Sequence, residues 1–407
     1  MFFRWAPWVR IEVSPRRLKW LMGLASAFML ILSCGGGDSG NGSSGDEDPP
    51  PEPTPLNLDL DIEPNLDQKY FWQPMPIPPD NPTTVEGVAL GRRLFFDPIL
   101  SSDDQVSCAT CHDPAFAFSG GPVRFSTGVD GQVGEFNSPA LINLGWTSAD
   151  PYRLYFDGKP LSLFWDGHAE SLEDQAREPV ASPLEMNLPW PEAEAKVQAD
   201  PVYPGLFRAA FGDTSVTQDR IVKALAQFQR TLRSYNSKWD RLVQGRLEEG
   251  EFFTALEGEG LDLFSGETGD CFHCHGDDMD LVASSSPSRL FSNNGLDLVP
   301  DPGLMAITGE PQHEGRFRAP SLRNLAYTAP YMHDGRFATL DEVLQHYSVG
   351  SATDPLFESP NLDRKLKARL ESGPFTPEQI EALKAFLNMF NDPDFVTNPD
   401  FQDPFQD

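Results

Sequence analysis

Four cysteines, each pair followed at once by a histidine, constrain this 407-residue chain more than any other feature. Cys108-Ala109-Thr110-Cys111-His112 and Cys271-Phe272-His273-Cys274-His275 repeat one pattern. C-x-x-C-H is the attachment pattern of c-type haem. Its two thiols reach both vinyl groups of one porphyrin, and the next residue offers its imidazole to the iron. A zinc ribbon also uses paired C-x-x-C, but expects the pairs about 15–20 residues apart, and here they are far more distant. A thioredoxin-like redox pair needs no histidine after the second cysteine. Structural disulfides would not favour two identical patterns. The spacing therefore predicts two covalently bound haem c groups, one on Cys108, Cys111 and His112 and one on Cys271, Cys274 and His275.

The fifth cysteine, Cys34, ends a targeting segment. Arg4, Arg10, Arg16, Arg17 and Lys19 form a positive region ahead of an apolar run from Trp20 to Leu32, the layout of a signal peptide. That run is short for a membrane span. It closes on Ile31-Leu32-Ser33-Cys34, which resembles the lipobox of bacterial lipoproteins, where the cysteine is acylated and becomes the new N-terminus. A plain signal peptide with an unused cysteine is the alternative. Haem is attached after export of an unfolded chain, so the general secretory route fits better than the twin-arginine route that Arg16-Arg17 suggests. The Gly-, Ser- and Pro-rich stretch that follows cannot pack a core and reads as a tether. The expected location is the periplasmic side of a bacterial membrane.

Apolar residues make up 39% of the chain, so a globular body is expected, and the net charge of −30 argues against nucleic acid as a partner. With 38 prolines and 33 glycines much of that body must be loop. The rest reads as helix. Thr83 with Glu86 predicts a capping box opening a helix through Leu90, Leu94 and Phe95. Ile221, Leu225, Phe228 and Leu232 fall on one helical face after Thr217. Thr376-Pro377-Glu378-Gln379 is a capping box with proline at the first helical position. The expectation is a mainly α, loop-rich fold with two cytochrome-c-like haem domains. Its parts are a lipoprotein signal peptide (1–33), a flexible linker (34–65), an N-terminal haem domain (66–238), a C-terminal haem domain (239–395) and a tail (396–407).

Around the two haem motifs, further segments occur in order: Leu163-Phe164-Trp165-Asp166-Gly167, Leu172-Glu173-Asp174-Gln175-Ala176, Pro183-Leu184-Glu185-Met186, Ala319-Pro320-Ser321-Leu322-Arg323-Asn324 and Ala329-Pro330-Tyr331-Met332-His333-Asp334-Gly335. Together they resemble the bacterial di-haem cytochrome c peroxidases and their MauG branch, from about Pro82 to Asp392. The resemblance implies that the His112 haem reacts with hydrogen peroxide. Its distal pocket would hold Gln175, Pro179 and Glu185, with Glu185 moving a proton between the peroxide oxygens and Gln175 orienting the peroxide. Trp165 would lie between the haems as a relay; a buried core aromatic is the plainer reading, and it can be both. His333 would sit near the second haem, in a structural or a redox role. Asn137, Thr328 and Pro330 match positions that bind calcium in the family, and carbonyl oxygens suit that cation.

Two departures bear on function. Family peroxidases often carry a removable distal histidine on the first haem; counted from Asn137, that position is Val129, which cannot ligate iron. The resemblance with this change implies a five-coordinate first haem. Cytochrome c peroxidases also place an axial methionine at a fixed interval after the histidine of the Tyr-x-His-Asp-Gly-like motif. Counted from His333, that position is Tyr347, the arrangement of MauG, and a phenolate favours ferric and higher states. Thr339 and Glu342 cap a helix there, with Leu340, Leu344 and Tyr347 on one face. His346 is the rival ligand, but helical neighbours point about 100° apart, so one of the two serves. His168 stands where relatives usually have arginine, and His273 and His313 read as ordinary polar residues.

Three functions follow. The first is a MauG-like peroxidase drawing electrons from a small redox protein or an oxidisable protein substrate. The second is peroxide detoxification fed by cytochrome c, and the third a non-catalytic di-haem electron carrier.

Overall fold

The computed structural model describes residues 52–58, 75–149, 155–161, 163–276, 291–348 and 358–406. The targeting segment and Cys34 lie outside them. Among the described residues helices carry the fold, as expected. The strands are two-residue antiparallel pairs, Tyr155–Phe156 with Lys159–Pro160 and Phe291–Ser292 with Phe317–Arg318. No helix among these residues is long and apolar enough to cross a membrane.

Two helix crossings are each the centre of an apolar core, and both use the same device. In the first, the Val85–Phe96 helix packs Leu90, Leu94 and Phe95 onto Ile221, Leu225 and Phe228 of the Gln218–Thr231 helix. Gly91 lets the backbones meet, because a Cβ there would run into the Ala224 carbonyl and Phe228. In the second, the Ala255–Ser265 helix crosses Pro377–Asn388, and Gly260 faces the Ala382 carbonyl and Phe386 in the same way. Leu263, Phe264, Leu383, Phe386 and Phe390 fill that core with Trp239. Edge-to-face aromatic pairs reinforce both, such as Phe95 on Phe228 at 5.3 Å and Trp239 on Phe386 at 5.4 Å.

The predicted caps hold with one correction. Thr217 caps its helix through the Arg220 amide, and Thr376 with Gln379 forms a capping box. At the first helix the cap is Thr84, not Thr83: its hydroxyl accepts from the Gly87 amide. Glu86 is drawn away from the cap by Thr54, whose amide and hydroxyl both donate to its carboxylate. That contact also ties down part of the stretch read as flexible linker. Leu56 bonds the Thr83 carbonyl, Val85 bonds the Thr54 carbonyl, and Leu58 is buried. The tail is likewise no loose end. Phe395 and Phe401 turn back into the first core against Phe118, with ring centroids at 5.9 and 6.4 Å. Arg92 holds the carbonyls of Pro399 and Gln402.

A buried polar seam joins the two cores. Ser234 exchanges bonds with the Asn143 side chain, and Asn324 donates to the Ser234 hydroxyl. One oxygen of Asp392 accepts from the Ser234 hydroxyl and the amides of Tyr235 and Asn236. Nearby, Arg323 grips Asp240 with two bonds of 2.8 Å. Burial works against the Asp240 charge, but the guanidinium outweighs it and lowers the pKa.

Candidate functional site

Both C-x-x-C-H motifs open onto cavities, of about 280 Å³ at Cys108, Cys111 and His112 and about 240 Å³ at Cys271, Cys274 and His275. Each motif folds into one helical turn, Cys108–Cys111 and Phe272–His275. Thr110 steadies the first by accepting the Ser107 amide at 3.0 Å. The chain then doubles back. Asp113 caps a short turn through the Ala115 amide, and Ala117 and Phe118 adopt left-handed backbone at φ 53° and 59°. This aims the Phe118 carbonyl at His112 Nδ1, 2.9 Å away. A carbonyl can only accept, so Nδ1 carries the proton and Nε2 keeps its lone pair. His275 repeats the arrangement with the Pro320 carbonyl at 3.2 Å. Burial lowers the pKa of both rings, His275 to about 4, which keeps them neutral.

The first cavity gathers the residues singled out for peroxide chemistry. Gln175 ends the Leu172–Gln175 turn, Pro179 sits in the Arg177–Ala181 turn, and Glu185 follows; all three line the space beside His112. Burial raises the Glu185 pKa, and the Glu178 carboxylate adds to the rise. Val129 is buried in the first core rather than lining the cavity, and its amide bonds the Glu185 carbonyl at 2.8 Å. His168 lies at the rim, stacked on Phe164 at 4.2 Å. Its Nδ1 meets Asp166 at 2.5 Å and its Nε2 meets Glu178 at 2.9 Å, so neither nitrogen offers a lone pair to the cavity.

The second cavity is lined by Tyr347, His333, Met332, Thr328, Pro330 and Asn137 among others. The Leu340–Ser348 helix presents Tyr347, and Thr339 and Glu342 cap it as a box. The Tyr347 hydroxyl accepts from Asn294 Nδ2 at 3.3 Å, and the same nitrogen is 3.5 Å from Met332 Sδ. Burial pushes the phenol up to about 12. His346 is not among the lining residues; its Nε2 donates to the Asn294 carbonyl at 2.9 Å. His333 stacks on Phe317 at 3.7 Å and stands 6.4 Å from the Trp165 ring.

Trp165 belongs to the wall common to both cavities, where its indole N–H donates to the Asn137 carbonyl at 2.8 Å. Gly167 makes the turn after it possible, with φ 85° and Phe291 packed where a Cβ would stand. Asn137 is held by its own amide on the His333 carbonyl and its side chain on the Arg124 carbonyl. No cluster of three or more His, Cys, Asp or Glu side chains suited to a metal occurs among the described residues. A cation near Asn137, Thr328 and Pro330 would therefore rely on carbonyl and amide oxygens.

The donor set fits covalent haem in each cavity. None of the four half-buried cysteines forms a disulfide, and each pair flanks a neutral imidazole with one nitrogen open. A family model described as di-haem cytochrome c peroxidase matches residues 85–248. The methylamine utilization protein MauG of Methylorubrum extorquens is 36% identical over 314 residues, covering 76% of this chain and 82% of that protein. The chain belongs to the di-haem cytochrome c peroxidase family. Cytochrome c551 peroxidase of Nitrosomonas europaea is 34% identical, covering 66% of this chain and 75% of that protein. A crystal structure of a MauG-like protein associated with microbial copper homeostasis aligns with a TM-score of 0.70 at 33% identity, covering 86% of this chain and all of that one.

As a di-haem peroxidase the chain is an oxidoreductase with two haem c groups, in the MauG-like branch of its family. Sequence reasoning missed three of its residues. Arg318 lines both cavities but lies one position before the motif that begins at Ala319. Asn294, the partner of Tyr347, sits in a loop with no recognisable chemistry. Glu178 becomes significant through its bond to His168 and its charge beside Glu185.

Proposed function

We propose that this protein reduces hydrogen peroxide in the cavity of His112 and draws the electrons from a protein partner by way of the second cavity and Trp165. The observation that carries the reading is the convergence of Gln175, Pro179 and Glu185 on the space beside His112, with Trp165 as the wall shared with the second site. Hydrogen peroxide takes two electrons and two protons and leaves as two waters. Haem in each cavity supplies redox-active iron, one to receive the peroxide and one to pass electrons. Glu185 would accept a proton from peroxide and return it to the leaving oxygen, a role supported by its position in the cavity lining and by the burial that raises its pKa. Gln175 orients the peroxide with its amide. The bond from His112 to the Phe118 carbonyl makes the imidazole a stronger donor.

The same reading extends to finer points. Val129 lies in the core and both nitrogens of His168 are engaged, so neither would offer a haem on His112 a second protein ligand, which would leave room there for peroxide. Tyr347 lines the His275 cavity and His346 does not, so its phenol oxygen would be the group offered to a haem held there, which favours the MauG-like electron path over one fed by cytochrome c. Asn137, Thr328 and Pro330 hold calcium through oxygen atoms. The helix crossings at Gly91 and Gly260 support two cytochrome-c-like domains dividing near residue 238. A lipid on Cys34 would tether the protein on the periplasmic side of the membrane.

The test is Glu185→Gln in haem-loaded protein. Loss of the proton carrier lowers the rate constant with peroxide by about 100-fold or more while the resting spectrum stays as in the parent. A rate within about threefold of the parent would contradict the assignment.

A further inference from the structure

Among the described residues, Arg318 is the one charged side chain that lines both cavities. Its backbone is fixed in the Phe317–Arg318 strand, with its amide on the Trp165 carbonyl at 2.7 Å. Its Nε donates to the Phe164 carbonyl at 3.2 Å, and this is its only side-chain hydrogen bond among the described residues. Among the described residues no carboxylate stands within ion-pair distance. Two buried arginines are paired, Arg323 with Asp240 at 2.8 Å and Arg230 with Glu173 at 2.6 Å, while Arg369, which lines the second cavity alone, has no ion pair among the described residues and lies over the Phe375 ring. The acids near Arg318 are committed elsewhere. Asp166 is bound to His168, Asp270 to His273, and Asp363 caps the Arg364–Glu371 helix. Glu185 and Glu135 line the first cavity but form no ion pair with Arg318.

A half-buried guanidinium without an anion is costly, because its desolvation is not repaid. The cost is visible in its pKa, which burial pulls down to about 10 with no neighbouring acid to restore it. One of its five N–H donors is used on Phe164, and the rest remain for planar acceptors. The anions missing from the chain are those a porphyrin brings with it.

We propose that Arg318 is a shared anion seat, taking a carboxylate of the porphyrin held in each cavity, so that one cation governs the charge around both irons. The proposal rests on the di-haem reading above. A cation close to both sites favours the ferrous over the ferric state of each, so removing it should lower both reduction potentials together. A residue that merely packs the wall would not produce that pattern.

The experiment is redox titration of haem-loaded Arg318→Gln, Arg318→Met and Arg318→Lys, followed optically at each haem, after intact mass has shown two haems per chain. Gln keeps a polar group near the Phe164 carbonyl and loses the charge; Met serves where Gln does not accumulate. In either neutral variant the ferrous-to-ferric ratio at a set potential should fall about tenfold at both haems, a shift of about 59 mV for one electron. Arg318→Lys should stay within about threefold of the parent at both, about half that shift. Unchanged potentials, a shift confined to one haem, or a Lys variant displaced as far as the neutral ones would each overturn the shared seat. These outcomes leave the peroxidase reading standing when the variant still carries two haems and consumes peroxide. A parent protein without covalent haem would instead remove that reading first.

Discussion

Replacing His168 by glutamine should cost stability in a pH-dependent way, and the structure sets both the size and the window. Burial works against the imidazolium, but the bonds to Asp166 and then Glu178 outweigh it and push the pKa up from 6.5 to about 9. A rise of that size corresponds to about 3 kcal/mol at full strength. The ring is 28% exposed and the Glu178 side chain 51% exposed, so solvent screening reduces it to about 1–2 kcal/mol. Because the folded pKa lies above the unfolded one, this stabilisation is fully present below about pH 6.5 and is lost as pH rises through about 9. Urea unfolding of haem-loaded protein, followed by circular dichroism, should place His168→Gln about 1–2 kcal/mol below the parent near pH 6 and close to it near pH 10. His168→Arg carries a charge that does not titrate in this range, so its stability relative to Gln should persist at high pH. A gap between parent and Gln of equal size at both ends would refute the argument, since packing alone gives no such dependence.

The glycines at the two crossings should resist enlargement. Gly91→Ala and Gly260→Ala each drive a methyl into a facing carbonyl, and overpacking of about 1–3 kcal/mol should appear in the urea midpoints. Arg323→Met strands Asp240 as a buried charge and should cost about 3–5 kcal/mol, read from the same unfolding curves. Tyr347→Phe removes an oxygen donor from the second cavity and should alter the optical spectrum of one haem, whereas His346→Gln should leave it unchanged; the reverse pattern would transfer the ligand role to His346.

What could be read without coordinates was what spacing alone encodes. Both haem motifs, the face of Ile221, Leu225 and Phe228, and the capping boxes at Thr376 and Thr339 depend on neighbours in sequence, and the structure has them as expected. Most of the failures involve partners remote in the chain. Thr83 and Glu86 match a capping box, but Thr54 competes for the Glu86 carboxylate and Thr84 takes over the cap. Pro-rich composition describes the segment around Thr54 to Leu58 correctly as non-helical, yet says nothing of the groove that receives Leu58. Phe401 reads as part of a tail because its contact with Phe118 closes a loop more than two-thirds of the chain long. Arg318 and His168 are the clearest cases at the site. Their meaning lies in which acids are near and which are absent, and pairing in space has no sequence period.

The central proposal is an asymmetry: haem in the cavity of His112 would keep a position open for peroxide, whereas haem in the cavity of His275 would be closed off by Tyr347. Carbon monoxide titration of the fully reduced protein, with haem content measured independently on the same sample, tests it most directly. The account predicts one carbon monoxide bound for every two haems, with binding abolished by replacing Cys108, Cys111 and His112. No binding at all would mark an electron carrier, and either that or two equivalents per chain would contradict the division of roles between the two sites.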